Sequence, residues 1–383
     1  MKRKWVLYGT IIMLVAMCTG FAFGGDRKVK VGGRIMVDYM FPDSSKKLES
    51  TLGEPIVEGA EFRRARLFAA GMLYERIKFK AQYDFAGGDA DFKDLYLELV
   101  KIPILGGLRI GHFHEQFSLS ELTSSKYITF MERALPVEAF APSRNLGFMV
   151  HNSVFDGRAT WAGGIYKDAG SFGDAKENNT WNITIRLTGT PWFADDGKKL
   201  FHLGGAYSYR NPNNQSVRFR AHPESHLSPR LVDTGTITGV DSVNQFGGEM
   251  ALVFGPLSLQ GEYILADVDR NSGMNPSFDG YYVYASYFLT GEPRPYKKGI
   301  FHRVKPKRDF LSDHGIGAIE VAGRYSSLDL SDKGISGGEI DDISIGLNWY
   351  LHPHARVMVN YVNADLDGVD EGSFYMARFQ IDF

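Results

Sequence analysis

The sequence predicts an all-β protein: a transmembrane antiparallel β-barrel of about 16 strands whose third loop folds inward. Three observations carry this. Apolar and polar residues alternate with period two along much of the chain, which puts one set of side chains on each face of a strand. The connections between these segments are short and long by turns, the layout of a barrel that crosses a membrane. The long connection 117–145 holds Phe117, Leu119, Leu122, Tyr127, Ile128, Phe130, Leu135 and Phe140, too many apolar residues for a loop standing in water.

Composition narrows the classes. The chain has 383 residues, with 43 Lys and Arg against 45 Asp and Glu, a formal net charge of −2. That balance excludes a generally basic nucleic-acid binder, so no nucleic acid is expected as partner. The single cysteine, Cys18, excludes a disulfide framework and a cysteine-based zinc site. Lys2, Arg3 and Lys4 precede a mostly apolar run from Val6 to Ala16, followed by Gly20, Ala22, Gly24 and Gly25. Residues 1–24 read as a signal peptide for Sec-type export, and 25–383 as the barrel domain. Losing the three basic residues leaves 40 Lys and Arg against 45 Asp and Glu. Beyond this stretch no run of about 18 apolar residues occurs, which excludes a helical membrane protein.

Taken in order, the strands fall near 28–41, 60–74, 76–86, 92–101, 107–116, 146–155, 158–167, 180–190, 200–210, 243–254, 257–267, 279–290, 315–326, 340–351, 355–365 and 373–383. In the third, Ile77, Phe79, Ala81, Tyr83 and Phe85 alternate with Arg76, Lys78, Lys80, Gln82 and Asp84. Short turns are expected at 74–76, 155–157, 255–256 and 352–354, and long loops at 42–59, 117–145, 211–242 and 327–339. A β-sandwich alternates too, but has no reason to segregate its long and short connections to opposite ends. A propeller would repeat at about 40–50 residues, and no such repeat is visible. The last strand carries Tyr375, Ala377, Phe379, Ile381 and the terminal Phe383 on one face. This resembles the C-terminal signature of bacterial outer-membrane proteins and implies that location.

Five stretches, in order along the chain, carry a further resemblance: Glu61 to Arg66; Leu122 to Ser125 with Phe130 to Arg133; Pro142 to Gly147; Leu289 to Tyr296 with Arg303 to Pro306; and Leu347 to Leu351. Together they resemble the phosphate-selective porin O and P family. The resemblance implies a passive, trimeric channel with anion preference, for phosphate or other oxyanions, seated in outer-membrane lipid and lipopolysaccharide. It implies no cofactor and no enzymatic activity, and no Gly-x-Ser-x-Gly elbow is present. A general small-solute porin of the same fold is the alternative.

Candidate selectivity residues follow from lumen placement, because rings of Arg and Lys are the device of anion pores. Arg64 and Arg66 share one face of the second strand while Ala65 and Leu67 share the other. Lys28, Lys30, Arg34, Lys78 and Lys80 lie opposite the apolar stripe, where Asp38, Asp84, Asp94 and Glu98 are available to neutralise them. In the 117–145 loop, Lys126, Arg133 and Arg144 are the candidate constriction cations; the alternative is that Arg133 pairs with Glu132 or Glu138 and only holds the loop. Ser118 to Glu121 has the pattern of a short capped helix. A basic cluster on the periplasmic side comprises Arg294, Lys297, Lys298, Arg303, Lys305, Lys307 and Arg308, with no acid from Pro293 to Arg308. Arg218, Arg220, His222, His226 and Arg230 mark the 211–242 loop as an outer funnel, a lipopolysaccharide contact or a solvated loop. His112 and His114 share a strand face but have no evident third ligand, so no metal site is expected.

Overall fold

A computed structural model describes residues 28–175, 180–312 and 314–383. The expected signal peptide, 1–24, lies outside them. The barrel strands are β1 (Lys28–Ser44), β2 (Gly59–Leu73), β3 (Ile77–Asp84), β4 (Asp91–Ile102), β5 (Gly106–His114), β6 (Arg144–Val154), β7 (Ala159–Lys167), β8 (Asn182–Ala194), β9 (Lys199–Arg210), β10 (Val240–Phe254), β11 (Leu257–Arg270), β12 (Ser277–Phe288), β13 (Ala318–Asp332), β14 (Ile335–His352), β15 (Ala355–Leu366) and β16 (Asp370–Asp382). Each pairs antiparallel with its neighbours in chain order, and β16 returns to β1 to close the ring. The closing register sets Ile35 opposite Ile381 and Phe41 opposite Tyr375. At this seam Gly33 donates its N–H to the Phe383 carbonyl at 3.0 Å. A Cβ at Gly33 would meet the Phe383 ring and the Arg66 carbonyl, each at 2.7 Å, so the close approach requires glycine.

The two faces of the wall invert the order of a water-soluble protein. On β14, Ile343 and Ile345 are 52% and 58% exposed, while Asp342, Ser344 and Asn348 between and beyond them are fully buried. An apolar outside and a polar inside is what a hydrocarbon surround selects.

Polar side chains on the buried face of β10–β16 hold the connection 115–143. Asn348 donates to the Thr129 carbonyl at 2.8 Å, Arg356 to the Ile128 carbonyl at 2.9 Å, and Gln245 to the Phe140 carbonyl at 2.8 Å. A short helix, α1 (Lys46–Leu52), follows β1, and the 115–143 connection contains two more, α2 (Leu119–Leu122) and α3 (Leu135–Phe140). Ser118 caps α2 by accepting from Glu121 N at 3.1 Å, as the sequence pattern predicts, and Glu262 of β11 accepts from Leu119 N and Ser120 N at 2.9 and 2.8 Å. Phe130, Met131, Leu135 and Phe140 join a buried apolar cluster with Phe219 and Leu231 of the 211–239 connection and Phe278, Leu328 and Val362 of the wall. One half of the barrel is therefore filled with packed side chains, and open space remains against β1–β8.

Two connections differ from expectation. The long loop expected at 327–339 is absent, because β13 and β14 run on to a turn at Lys333 and Gly334. Both turn residues have positive φ, 46° and 86°, the geometry that matches strand twist in a tight hairpin. Conversely, 289–317 is long although it leaves the end that bears the short turns. It reaches far enough for Phe301 N to lie 3.4 Å from Thr123 Oγ1 of the 115–143 connection. Loop length is thus not strictly segregated by end.

Candidate functional site

Two chambers occupy the open half of the lumen. The upper one, about 520 Å³, lies towards the 211–239 connection; the lower one, about 580 Å³, opens near the turns at 103–105 and 155–158. Asp94 of β4, His114 of β5 and Leu122 of α2 line both, so they mark the narrow passage between them.

Strand alternation and one bulge build the upper chamber. Arg34 of β1 stands opposite Arg66 of β2, and Met36 opposite Arg64. The register then slips, so that Val37 faces Phe62 and Arg63 is the extra residue. The slip turns Arg63 inward beside Arg64 and Arg66, and all three line the chamber. Lys80, Lys93, Arg133, Arg144 and Arg230 complete a set of nine arginines and lysines, against the four carboxylates of Asp94, Glu121, Glu132 and Glu138. The lower chamber sets Lys78, Lys101, Arg109, Arg186 and Lys298 against Asp94 and Glu98.

Many of these charges are paired. Asp94 sits between Lys80 and Arg144, whose Nε donates at 2.7 Å. Arg66 donates to Asp84 at 2.6 Å. Arg63 grips Glu132 with two hydrogen bonds of 2.9 Å, and Arg378 of β16, itself bound to Asp38, reaches the same carboxylate at 2.7 Å. Arg109 holds Glu98 at 2.7 Å and lies over the Tyr96 ring at 4.3 Å. Arg34 and Arg64 differ. Both are buried and neither has an ion-pair partner among the described residues; Arg34 donates to Ser125 Oγ at 2.6 Å, and Arg64 reaches only the Met36 sulfur at 3.7 Å. Burial would push the Glu121 and Glu132 carboxyls of the 115–143 connection up, but neighbouring cations and hydrogen bonds outweigh it. Arg133 and His114 hold Glu121 down to about 2, and Arg63 and Arg378 hold Glu132 well below the usual carboxylate range.

The predicted residues are only partly brought together. Arg64, Arg66, Lys80, Arg133 and Arg144 line the upper chamber and Lys78 the lower. Arg133 spends its donors on the loop itself: the carbonyls of Ser120, Glu121 and Thr123, and the Glu121 carboxylate at 2.9 Å. It is a loop clamp, with Glu121 as partner in place of Glu132 or Glu138. Lys126 lies apart from both chambers, bound to Asp382 of β16 at 2.9 Å.

The basic run of 289–317 also divides. Lys298 lines the lower chamber. Arg294 is buried on Gln260 at 2.7 Å and stacks 3.5 Å from the Phe301 ring centroid, and Arg303 pairs with Asp382. Lys297, Lys305, Lys307 and Arg308 are exposed. His112 and His114 are drawn to different partners, the Lys93 carbonyl at 2.6 Å and the Glu121 carboxylate at 3.1 Å.

Sequence reasoning missed the inward turn of Arg63, which a bulge hides from any count by two. It also missed Arg109 and Arg186. The alternation that placed Lys78 and Lys80 would have found both, since each sits on the lumen face of its strand. A surplus of fixed positive charge between low-dielectric walls concentrates small anions.

The comparisons with known proteins agree on one assignment. Residues 29–383 match the family model described as phosphate-selective porin O and P. Porin O of Pseudomonas aeruginosa is 27% identical over 400 residues, covering 92% of this chain and 88% of that protein. Among solved structures, the anion-selective porin from Comamonas acidovorans superposes with a TM-score of 0.59 at 14% identity, over 94% of this chain and all of that one. The trimer form of OmpT, an outer-membrane protein of Vibrio cholerae, gives 0.58 at 11% identity, over 93% of this chain and all of that one. At these identities the structural likeness concerns the fold.

Proposed function

This chain belongs to the phosphate-selective porin O and P family and is an outer-membrane channel, and on that premise we propose that it passes anions passively, with inorganic phosphate or a similar oxyanion among them. The carrying observation is the charge of the passage. Nine arginines and lysines face four carboxylates in the upper chamber although the chain as a whole is acidic. Arg34 and Arg64 matter most, because among the described residues they are the buried cations of this lining with no direct ion pair, while Arg230, also without one, is exposed to screening by water. The Asp94 carboxylate between Lys80 and Arg144 keeps the narrowest point from trapping an anion permanently, since conduction needs binding weak enough to leave. Arg adds planar two-point hydrogen bonding to phosphate oxygens. The 115–143 connection acts as the inward loop that sets the bore, and a homotrimer in lipopolysaccharide-bearing lipid is the working assembly.

The salt-bridged pairs lining the passage, Arg144 with Asp94 and Arg133 with Glu121, favour a second reading: a weakly selective small-solute channel of the same build. Reversal potentials in a KCl gradient across planar bilayers separate the two. The anion reading expects chloride to permeate more readily than potassium and phosphate to reduce the chloride current. A cation-selective channel would overturn it, and a ratio near one with no phosphate effect would support the second reading.

A further inference from the structure

The two chambers differ in more than position. The upper one is lined almost wholly by charged and hydroxyl side chains, with Leu122, Val137 and Ala141 as its apolar members. The lower one has an apolar wall. Tyr96 lines it, backed by the buried Phe113 and Met149; the Tyr96 and Phe113 ring centroids are 6.1 Å apart edge to face, and Arg109 lies 4.3 Å over the Tyr96 ring with its charge spent on Glu98. Lys298, also of the lining, is exposed and has no hydrogen-bond or ion-pair partner among the described residues. Lys78, about half exposed, stands 3.6 Å from Glu98. The volume, about 580 Å³, lies within the range of roughly 300–1,000 Å³ typical of small-molecule sites, and a bare tetrahedral oxyanion would fill little of it.

We propose that the lower chamber binds organic anions in transit, taking their phosphate, sulfonate or carboxylate group on Lys298 and Lys78 and a single-ring apolar body against Tyr96, which the buried Phe113 and Met149 hold in place. This rests on the anion-channel reading and names a substrate class beyond inorganic phosphate. An apolar wall beside the unpaired Lys298 ammonium is wasted on a hydrated inorganic ion. It suits a solute that is charged at one end and apolar at the other, because ring contacts add to the Coulomb attraction instead of competing with it.

The test compares block of KCl current by phenyl phosphate and by inorganic phosphate in planar bilayers, read as the ratio of the two half-blocking concentrations. In the wild type phenyl phosphate should block at about tenfold lower concentration, the worth of one good aromatic contact. Tyr96→Ala and, independently, Lys298→Gln should each shrink that ratio at least threefold. Lys298→Gln changes an exposed residue of a connection, which keeps the test open should the wall substitution prevent folding. Equal block by the two anions in the wild type, or a ratio unmoved by either substitution, would overturn the inference while leaving an anion-selective channel intact. A cation-selective current in the same bilayers would instead overturn the reading on which it rests.

Discussion

Arg34 and Arg64 are the buried cations of the upper chamber without an ion-pair partner among the described residues, so selectivity should respond to them most directly. A unit charge about 6 Å from a passing ion is worth about 0.7 kcal/mol in bulk-like water and about 3 kcal/mol at an effective dielectric of 20. Arg34→Gln and Arg64→Met are each expected to lower the chloride-to-potassium permeability ratio at least threefold, measured from reversal potentials. The Met substitution should cost little stability, since among the described residues the only polar contact it removes is the weak one to the Met36 sulfur. Arg218 is paired with Asp233 in the 211–239 connection, exposed and away from the passage. Arg218→Ala should leave the ratio where it is. Equal effects at Arg34 and Arg218 would mean that the chambers are not the filter.

The 115–143 connection is held by ionised carboxylates as well as by apolar packing, and Glu132 is its main tie to the closing seam through Arg63 and Arg378. Glu132→Ala would leave Arg378, fully buried, with only Asp38 and a carbonyl. Breaking a buried pair typically costs about 3–5 kcal/mol. The expected result is a lower heat-dissociation temperature on gels together with larger, noisier single-channel steps. The sign of the pH dependence follows from the depressed carboxyls. Their stabilisation is fully present above the unfolded carboxylate range and is lost as pH falls through the folded value, about 2 for Glu121. Step size in KCl should therefore stay constant from pH 7 to about 4. A jump in conductance between pH 5 and 4 would show that something other than Glu121 and Glu132 holds the loop.

At the scale of the whole molecule, an acidic chain carries a passage lined mainly by cations, and this works because the field is local. The Debye length is about 10 Å at 0.1 M salt and about 3 Å at 1 M. Acids on the outer surface are screened from the passage at physiological salt, while wall cations stay within reach of an ion on the axis. The permeability ratio should fall steadily as KCl rises from 0.1 to 1 M; a ratio independent of salt would point to size rather than charge as the selecting property. The apolar outer wall, exposed at Ile343, Ile345, Val359, Phe379 and Ile381, meets either lipid or another copy. Unboiled gels of native membranes should show a heat-sensitive trimer. A monomer band confirmed by crosslinking would count against that assembly.

Alternation by two was enough to place every one of the 16 barrel strands, because in a membrane-spanning wall one face must meet hydrocarbon and each strand records that demand locally. The apolar content of residues 117–145 likewise announced that they pack. Loop ends were legible only where turn residues marked them; Lys333 and Gly334 close a hairpin that the polar run around them disguised as a loop. The chemistry of the lumen was less legible, since a charge's partner is set by closure of the ring and not by its neighbours in sequence. Arg133 and Lys126 read alike as loop cations, yet one clamps the loop on Glu121 beside the passage and the other is carried across the barrel to Asp382. Arg63 turned inward through a bulge that no count of two reveals. The sequence by itself determined the barrel, its faces and part of the pool of basic residues facing inward. Only the tertiary structure decided which of them keep an uncancelled charge, because Coulomb energy depends on distances that residues far apart in the chain acquire when the wall closes and the loops fill it.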